Sequence, residues 1–121
     1  MRGCAVVGLA PVTDLAGCAR DGALEGTCAF VVGAPPDEAP GRYDRFSPLA
    51  LVPLGVPQRL FHGAIDNVVP LSDNEAYVNA ATAAGDDATL TVQPDANHFT
   101  VLEPDSPAWA QVRDTIEQLL G

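Results

Sequence analysis

The chain contains no lysine, and its six arginines face 16 acidic residues, which gives a formal net charge of −10. Proteins that bind nucleic acids or anionic membranes use Lys and Arg to neutralise phosphate groups. A transmembrane helix needs about 20 consecutive apolar residues, and no run of that length occurs in the sequence. We therefore expect neither a nucleic-acid partner nor a membrane partner.

Cysteine is also scarce. The three cysteines, Cys4, Cys18 and Cys28, form no C-x-x-C pair and have no histidine near them in sequence. An odd number in this arrangement argues against a zinc site and against a disulfide framework. Together with the lack of a signal-peptide pattern after Met1, it predicts buried free thiols and a cytoplasmic protein.

What is present is the composition of a small globular domain. With 121 residues, 47% of them hydrophobic, the chain is long enough for one domain at most. Short apolar runs alternate with helical patterns, which predicts an α/β fold with a parallel sheet. The predicted strands are about 4–10, 57–62 and 88–93, and the predicted helices are about 24–32, 72–84 and 107–120.

Two of the predicted helices begin with capping signals. Ser72 and Glu75 match a capping box, in which each side chain binds the other residue's backbone N–H. Ser106 followed by Pro107 predicts an N-cap and a first helical residue. Residues 35–53, which are rich in proline and glycine, are predicted to form an irregular loop.

Asp66 and His98 are the candidate catalytic residues. Each lies in a loop that follows a predicted strand. Because the carboxyl ends of parallel strands meet at one edge of a sheet, we expect the two side chains to lie close together. A carboxylate can orient an imidazole, which then acts as general base and general acid. The alternatives are an Asp66 that caps a turn and a His98 at the surface, and we favour the paired interpretation.

His62 is expected to have a structural role instead. It ends the second predicted strand, where we expect it to pack beneath the following loop, with Gly63 adopting an unusual backbone conformation. A metal site formed by His62, Asp66 and His98 has suitable ligand types. Their spacing matches no metal motif, so we predict no metal and no cofactor.

No serine or cysteine has the sequence context of an activated nucleophile. Ser47 precedes Pro48, and Ser72 and Ser106 are assigned to helix caps. None is flanked by the glycines that a strand-to-helix nucleophile elbow requires. The cysteines have no recognisable context that would activate a thiol.

These residues resemble the C-terminal half of an α/β-hydrolase of the esterase and lipase type, related to the catalytic domains of prolyl oligopeptidases. The resemblance covers essentially all 121 residues. It is carried by the segments 6–15, Ser47-Pro48-Leu49, His62-Gly63 with Asp66 and Val69-Pro70, and Asn97-His98-Phe99.

The resemblance implies hydrolysis of a carboxylic ester or a related acyl bond, with Asp66 as the acid and His98 as the base. In such enzymes the nucleophile precedes the acid and the histidine, so the serine and the oxyanion hole are implied before residue 1. Residues 1–121 would then be a partial domain, which we expect to be inactive alone. Its first strand would be an exposed edge, which predicts self-association.

Two other functions remain open. The chain could be a non-catalytic truncated hydrolase module, used for binding or for assembly with a separate N-terminal half. It could also be a phosphate- or nucleotide-binding α/β domain. The second has little support, because no glycine-rich loop follows any predicted strand.

Overall fold

A computed structural model describes residues 4–20 and 24–121 of the chain. Its sheet has three parallel strands in the order β1 (Val6–Leu9), β2 (Gln58–Gly63) and β3 (Ala88–Gln93). The predicted α/β class and the three predicted strands are therefore confirmed. The absence of a signal peptide was predicted at Met1–Arg2, which lie outside the described residues.

Six α-helices flank the sheet in the described part of the chain. They are α1 (Leu15–Arg20), α2 (Glu25–Val32), α3 (Pro40–Phe46), α4 (Pro48–Leu51), α5 (Leu71–Ala83) and α6 (Pro107–Leu120), and a short 3-10 helix spans Thr100–Leu102. The three predicted helices correspond to α2, α5 and α6. None of the helices in residues 4–20 and 24–121 is long and apolar enough to cross a membrane.

Both faces of the sheet are covered, because alternate residues of β2 point to opposite sides. On one side Phe61 packs in a cluster with residues of α6, including the buried Val112. On the other side Leu60 packs against Tyr77 and Ala81 of α5. The sheet is thus the middle layer of three, and the loops that follow its strands lie outside the layered core.

The structure corrects the prediction for the start of α5. This helix begins at Leu71, one residue before the predicted cap, and Ser72 makes no capping hydrogen bond. Pro70 has φ −61° and its carbonyl accepts from the Asp73 N–H. With ψ 130°, Pro70 is the non-helical N-cap residue itself, so Ser72 lies inside the first turn, where it cannot act as the cap. At α6 the prediction is confirmed, since Ser106 Oγ accepts from Trp109 N at 3.1 Å.

The predicted irregular loop at residues 35–53 contains two helices, α3 and α4. Pro40 and Pro48 stand in the first turns of these helices. In that position a proline starts a helix, because its missing N–H would have no partner there anyway. The proline content of this segment therefore indicated helix starts as much as loops. Of the described residues in the insert between β1 and β2, residues 10–20 and 24–57, slightly more than half are therefore helical.

The prediction of buried free thiols is wrong, because two cysteines are paired and the third is exposed. Cys18 in α1 and Cys28 in α2 form a disulfide, with their Cα atoms 6.1 Å apart. Cys4 is free and exposed. Spacing along the chain gave no sign of the pair, because the two cysteines meet only when α1 and α2 pack together. The disulfide therefore links α1 to α2 covalently.

Strand β1 is less buried than its apolar sequence indicated. Its four residues are exposed or half-buried, and Val6 is 42% exposed. The strand pairs with β2, and no second neighbour is present among the described residues. Within residues 4–20 and 24–121, one edge of this apolar strand therefore has no strand beside it.

Candidate active site

The loops that follow β2 and β3 lie in direct backbone contact. Ala64 N donates to Gln93 O at 2.9 Å, and Ile65 N donates to Ala96 O at 3.2 Å. A Cβ atom on Gly63 would overlap the Ala96 carbonyl. Gly63 is therefore required for close approach of the two loops, and the unusual backbone conformation predicted for it is not observed.

Asp66 is held by its own loop. Its side chain is fully buried, and Oδ1 accepts from Val68 N at 2.7 Å and from Val69 N at 2.9 Å. Burial by itself would raise the pKa of this carboxyl. The hydrogen bonds from Val69, His98 and Val68 outweigh burial, so that its pKa lies below the ordinary value. Asp66 is thus an ionised carboxylate at neutral pH.

His98 meets the second oxygen of this carboxylate. Its Nδ1 lies 2.8 Å from Asp66 Oδ2, and about a quarter of its side chain is exposed. The loop around it is fixed by Asn97, whose Oδ1 accepts from the backbone N–H groups of Phe99 and Thr100. The Phe99 ring packs edge-on against the imidazole, with the ring centroids 5.1 Å apart. The predicted pair is therefore brought together.

This arrangement can move protons at one defined atom. An ionised carboxylate at 2.8 Å fixes the proton on His98 Nδ1. The other ring nitrogen, Nε2, is left with a lone pair and makes no hydrogen bond within the described residues. Such a nitrogen can accept a proton from a substrate or nucleophile and return it, while the carboxylate stabilises the imidazolium.

His62 is buried beneath the Asp66 loop, as predicted from its place at the strand end. Its Nε2 lies 2.8 Å from Val69 O and its Nδ1 lies 2.9 Å from Asn74 Nδ2. Both ring nitrogens are therefore occupied by protein groups, which leaves neither free to bind a metal. The part of the chain that the structure describes holds no cluster of three or more candidate metal ligands.

The structure adds residues that the sequence did not single out. Asn74, in α5, is fully buried and contacts both His62 and the loop after β1. Thr13 in that loop donates its hydroxyl to Asn74 Oδ1 at 2.7 Å. A signal for Thr13 existed, since it follows the end of a strand in the same way as Asp66 and His98. For Asn74 the sequence carried no signal, because a polar residue inside a helix usually faces water.

Two of the three serines of the described residues, Ser47 and Ser106, are engaged elsewhere, and Ser72 lies in the first turn of α5. Ser47 Oγ accepts from Leu15 N at 3.0 Å and contacts Thr13 O. Ser106 caps α6. Within residues 4–20 and 24–121, no serine or cysteine side chain hydrogen-bonds to His98. Asp66 and His98 therefore meet without a serine hydrogen-bonded to His98 among the described residues.

No family model matches this chain, and no curated protein matches it. Several solved structures do match this chain. Esterase 2 from Thermogutta terrifontis, phosphoramylated by tabun, superposes with a TM-score of 0.68 at 24% identity, over 96% of this chain and 40% of the esterase. The butyrate-bound form of the esterase gives a TM-score of 0.69 at 22% identity, over 96% of this chain and 42% of the esterase. Puromycin hydrolase gives 0.69 at 25% identity, over 91% of this chain and 18% of its own.

The chain therefore has the fold of the C-terminal part of an α/β-hydrolase. It spans about 40% of the length of the esterase that it matches. This agrees with the resemblance drawn from the motifs around Asp66 and His98.

Proposed function

We propose that this chain is the C-terminal segment of a serine hydrolase that cleaves carboxylic esters or related acyl bonds, and that Asp66 and His98 are its acid and base. The observation that carries the proposal is the 2.8 Å contact between Asp66 Oδ2 and His98 Nδ1, at the edge of the sheet where α/β enzymes collect their reactive groups.

The proposed reaction uses a serine from a segment that precedes these residues. The serine oxygen attacks the acyl carbon while its proton passes to His98 Nε2. The same nitrogen returns the proton to the leaving alcohol or amine, which leaves an acyl-enzyme. A water molecule then attacks the acyl carbon and gives a proton to Nε2. As the bond between the acyl carbon and the serine oxygen breaks, Nε2 returns this proton to the serine oxygen, which releases the carboxylic acid and restores the serine. Asp66 stays ionised throughout and stabilises the imidazolium.

The direct test is to express the full reading frame that contains these residues and to assay ester hydrolysis. The names of the structural neighbours suggest two probes, p-nitrophenyl butyrate and puromycin. His98→Ala should abolish hydrolysis of any accepted probe. Asp95→Asn is the matched control, because Asp95 is an exposed carboxylate in the same loop. An unchanged kcat in His98→Ala would refute the assignment.

We further propose that the 121-residue chain is inactive alone. Loss of the nucleophile in a triad costs on the order of a millionfold in kcat. The purified chain should therefore hydrolyse p-nitrophenyl butyrate no faster than buffer does. Hydrolysis by this chain that disappears in His98→Ala would contradict this expectation.

A second candidate is a non-catalytic module that assembles with a separate N-terminal half. The open edge of β1 favours it, because an apolar edge strand pairs readily with another strand. The same edge leads us to propose self-association of the isolated chain. Sedimentation velocity should show dimers or larger species for the wild type and fewer for Val6→Glu. A monomer at every concentration would remove this candidate's support.

A cytoplasmic location is also a proposal. The cytoplasmic prediction depended on free thiols and on the lack of a signal-peptide pattern after Met1. The Cys18–Cys28 disulfide removes the first reason, since disulfides persist in oxidising compartments. Peptide mass spectrometry of protein alkylated directly in cells would decide. A reduced pair would support the cytoplasm, and a cross-linked pair would oppose it.

A further inference from the structure

A buried chain of polar groups lies beneath the Asp66 loop. It starts at Val69, whose N–H holds Asp66 Oδ1 and whose carbonyl lies 2.8 Å from His62 Nε2. It continues from His62 Nδ1 to Asn74 and ends at Thr13. Both His62 and Asn74 are at most 1% exposed. Water therefore cannot replace these hydrogen bonds, and each group depends on its protein partner.

The direction of every hydrogen bond in this chain can be assigned. Asn74 Nδ2 lies 3.0 Å from Pro11 O, which can only accept. That contact fixes the amide orientation, so Nδ2 also donates to His62 Nδ1. His62 Nδ1 then carries no proton, and its Nε2–H donates to Val69 O. Asn74 thus selects the ring tautomer that can hold the Asp66 loop.

The Nε2–H group of His62 is placed to control this loop closely. Besides Val69 O, it faces Asp66 Oδ2 at 3.5 Å, the oxygen that also meets His98. Movement of Val69 would shift one of the two N–H groups that orient the carboxylate. Displacement of a catalytic group by about 1 Å can cost on the order of 100-fold in rate.

We propose that His62 and Asn74 are positioning residues, which hold the Asp66 loop so that its carboxylate meets His98. This inference rests on the proposed function of the Asp66–His98 pair. It gives a role in the reaction to a histidine that touches neither substrate nor nucleophile. It also connects the helical insert, through Thr13, to the acid–base pair.

Two substitutions of His62 separate positioning from simple packing. His62→Gln keeps an N–H donor at the place of Nε2 and so retains the bond to Val69 O. His62→Asn keeps only a group at the place of Nδ1, within reach of Asn74, and loses Val69. In the full-length enzyme, His62→Asn should lower kcat on the order of 100-fold with KM little changed. His62→Gln should recover most of that loss.

A control variant on α5 tests for general destabilisation. Tyr77 is buried, and its hydroxyl donates to Gln58 Oε1, remote from the Asp66 loop. Tyr77→Phe should lower the melting temperature while kcat stays at the wild-type level. If it lowers kcat as much as His62→Asn does, the effect is one of stability, and the positioning role is wrong.

A spectroscopic test needs no nucleophile and uses the 121-residue chain. The proton on His98 Nδ1, bound to a carboxylate, should give a downfield ring N–H resonance in the proton NMR spectrum. The chain has two histidines, so His98→Ala identifies the signal. It should persist in His62→Gln and exchange faster with water, or disappear, in His62→Asn. An unchanged resonance in His62→Asn would overturn the proposal.

A milder variant serves if His62→Asn does not fold. Thr13→Val preserves the side-chain shape and removes the donor to Asn74 Oδ1. It should lower kcat several-fold and speed exchange of the His98 Nδ1 proton, and no change in either would count against the proposal.

Failure of this inference differs from failure of the proposed function. If Asp66→Asn abolishes hydrolysis while His62→Asn keeps both kcat and the resonance, positioning is wrong and the function stands. If Asp66→Asn leaves hydrolysis unchanged, the proposed function is wrong and the positioning role falls with it.

Discussion

Two aspartates at opposite ends of the sheet accept hydrogen bonds from the same kinds of group: two backbone N–H groups and one side chain. Asp66, beyond the carboxyl ends of the strands, accepts from two backbone N–H groups and from the side chain of His98. Asp86, just before β3, accepts from the backbone N–H groups of Leu54 and Gly55 and from the side chain of Gln58. Hydrogen bonding lowers the pKa of both carboxyls.

The difference lies in the third partner. His98 can gain and lose a proton, and its side chain is partly exposed. Gln58 cannot titrate and is 1% exposed. Asp86 therefore ties the end of the insert to the sheet, whereas Asp66 orients a group that can react. Hydrogen bonds to a carboxylate therefore do not make a candidate site by themselves; the accessible, titratable partner of Asp66 does.

The largest expected effect comes from replacing each carboxylate by an amide. In the full-length enzyme, Asp66→Asn should lower kcat about 10⁴-fold, because the amide favours the wrong histidine tautomer. Asp86→Asn should lower the melting temperature by several degrees while kcat for p-nitrophenyl butyrate stays within a few-fold. Equal losses of kcat in the two variants would break the comparison.

Breaking the disulfide separates stability of the insert from both carboxylates. Cys18→Ser opens a loop with a sequence separation of 10, which should lower the free energy of unfolding by about 2–3 kcal/mol. The His98 Nδ1–H resonance should stay unchanged, since neither cysteine contacts Asp66 or Asp86. Urea titration and proton NMR measure the two quantities. Cys4→Ser, at the exposed free cysteine, is the control and should change neither.

Acid should affect the two aspartates in the same direction. Because their folded pKa values lie below the ordinary 3.8, their stabilisation is complete above about pH 4 and is lost as pH falls through the folded values. The free energy of unfolding should therefore fall below about pH 4 in the wild type. Asp66→Asn and Asp86→Asn should each flatten this fall. A steeper fall in either variant would contradict the assignment.

The smallest expected effect is that of replacing Asp73, and here the substitution should stabilise the fold. Asp73 is partly buried without a side-chain hydrogen bond among the described residues, and burial and the Asp14 carboxylate raise its pKa. Its charge therefore costs stability at neutral pH. Asp73→Asn should stabilise the protein at pH 7 by at most about 0.5 kcal/mol after solvent screening, and not below about pH 3. Thermal unfolding at both pH values would measure this.

The sequence predicted the elements that have their own local signals. Three apolar runs gave three strands, and Ser106 with Pro107 gave the start of α6. Prolines misled in both directions, because Pro70 starts α5 before Ser72 and Pro40 starts a helix inside a predicted loop. Proline fixes φ in turns and in first helical turns alike, so its neighbours decide which one forms.

The candidate pair could be predicted because parallel strands bring their carboxyl ends together, whatever their separation in sequence. The supporting residues could not. Asn74 and Thr13 are 61 residues apart. Thr13 follows a strand end, but nothing local marks either residue as buried or as a partner of the other. The Cys18–Cys28 pair depends likewise on how α1 packs against α2. Topology carries strand ends to a common edge, but only packing decides which side chains lie beneath it.

Gly63 sets a limit on how this chain can vary. With any larger residue there, the backbone after β3 would have to withdraw from the backbone after β2, and the loop that carries His98 would move away from Asp66. A library randomised at position 63 should thus yield folded chains whose two loops have separated, alongside active ones that keep glycine. Because Gly63 has no side chain, the two loops can approach closely, and this approach sets the distance between His98 Nδ1 and Asp66 Oδ2 across which a proton can be shared.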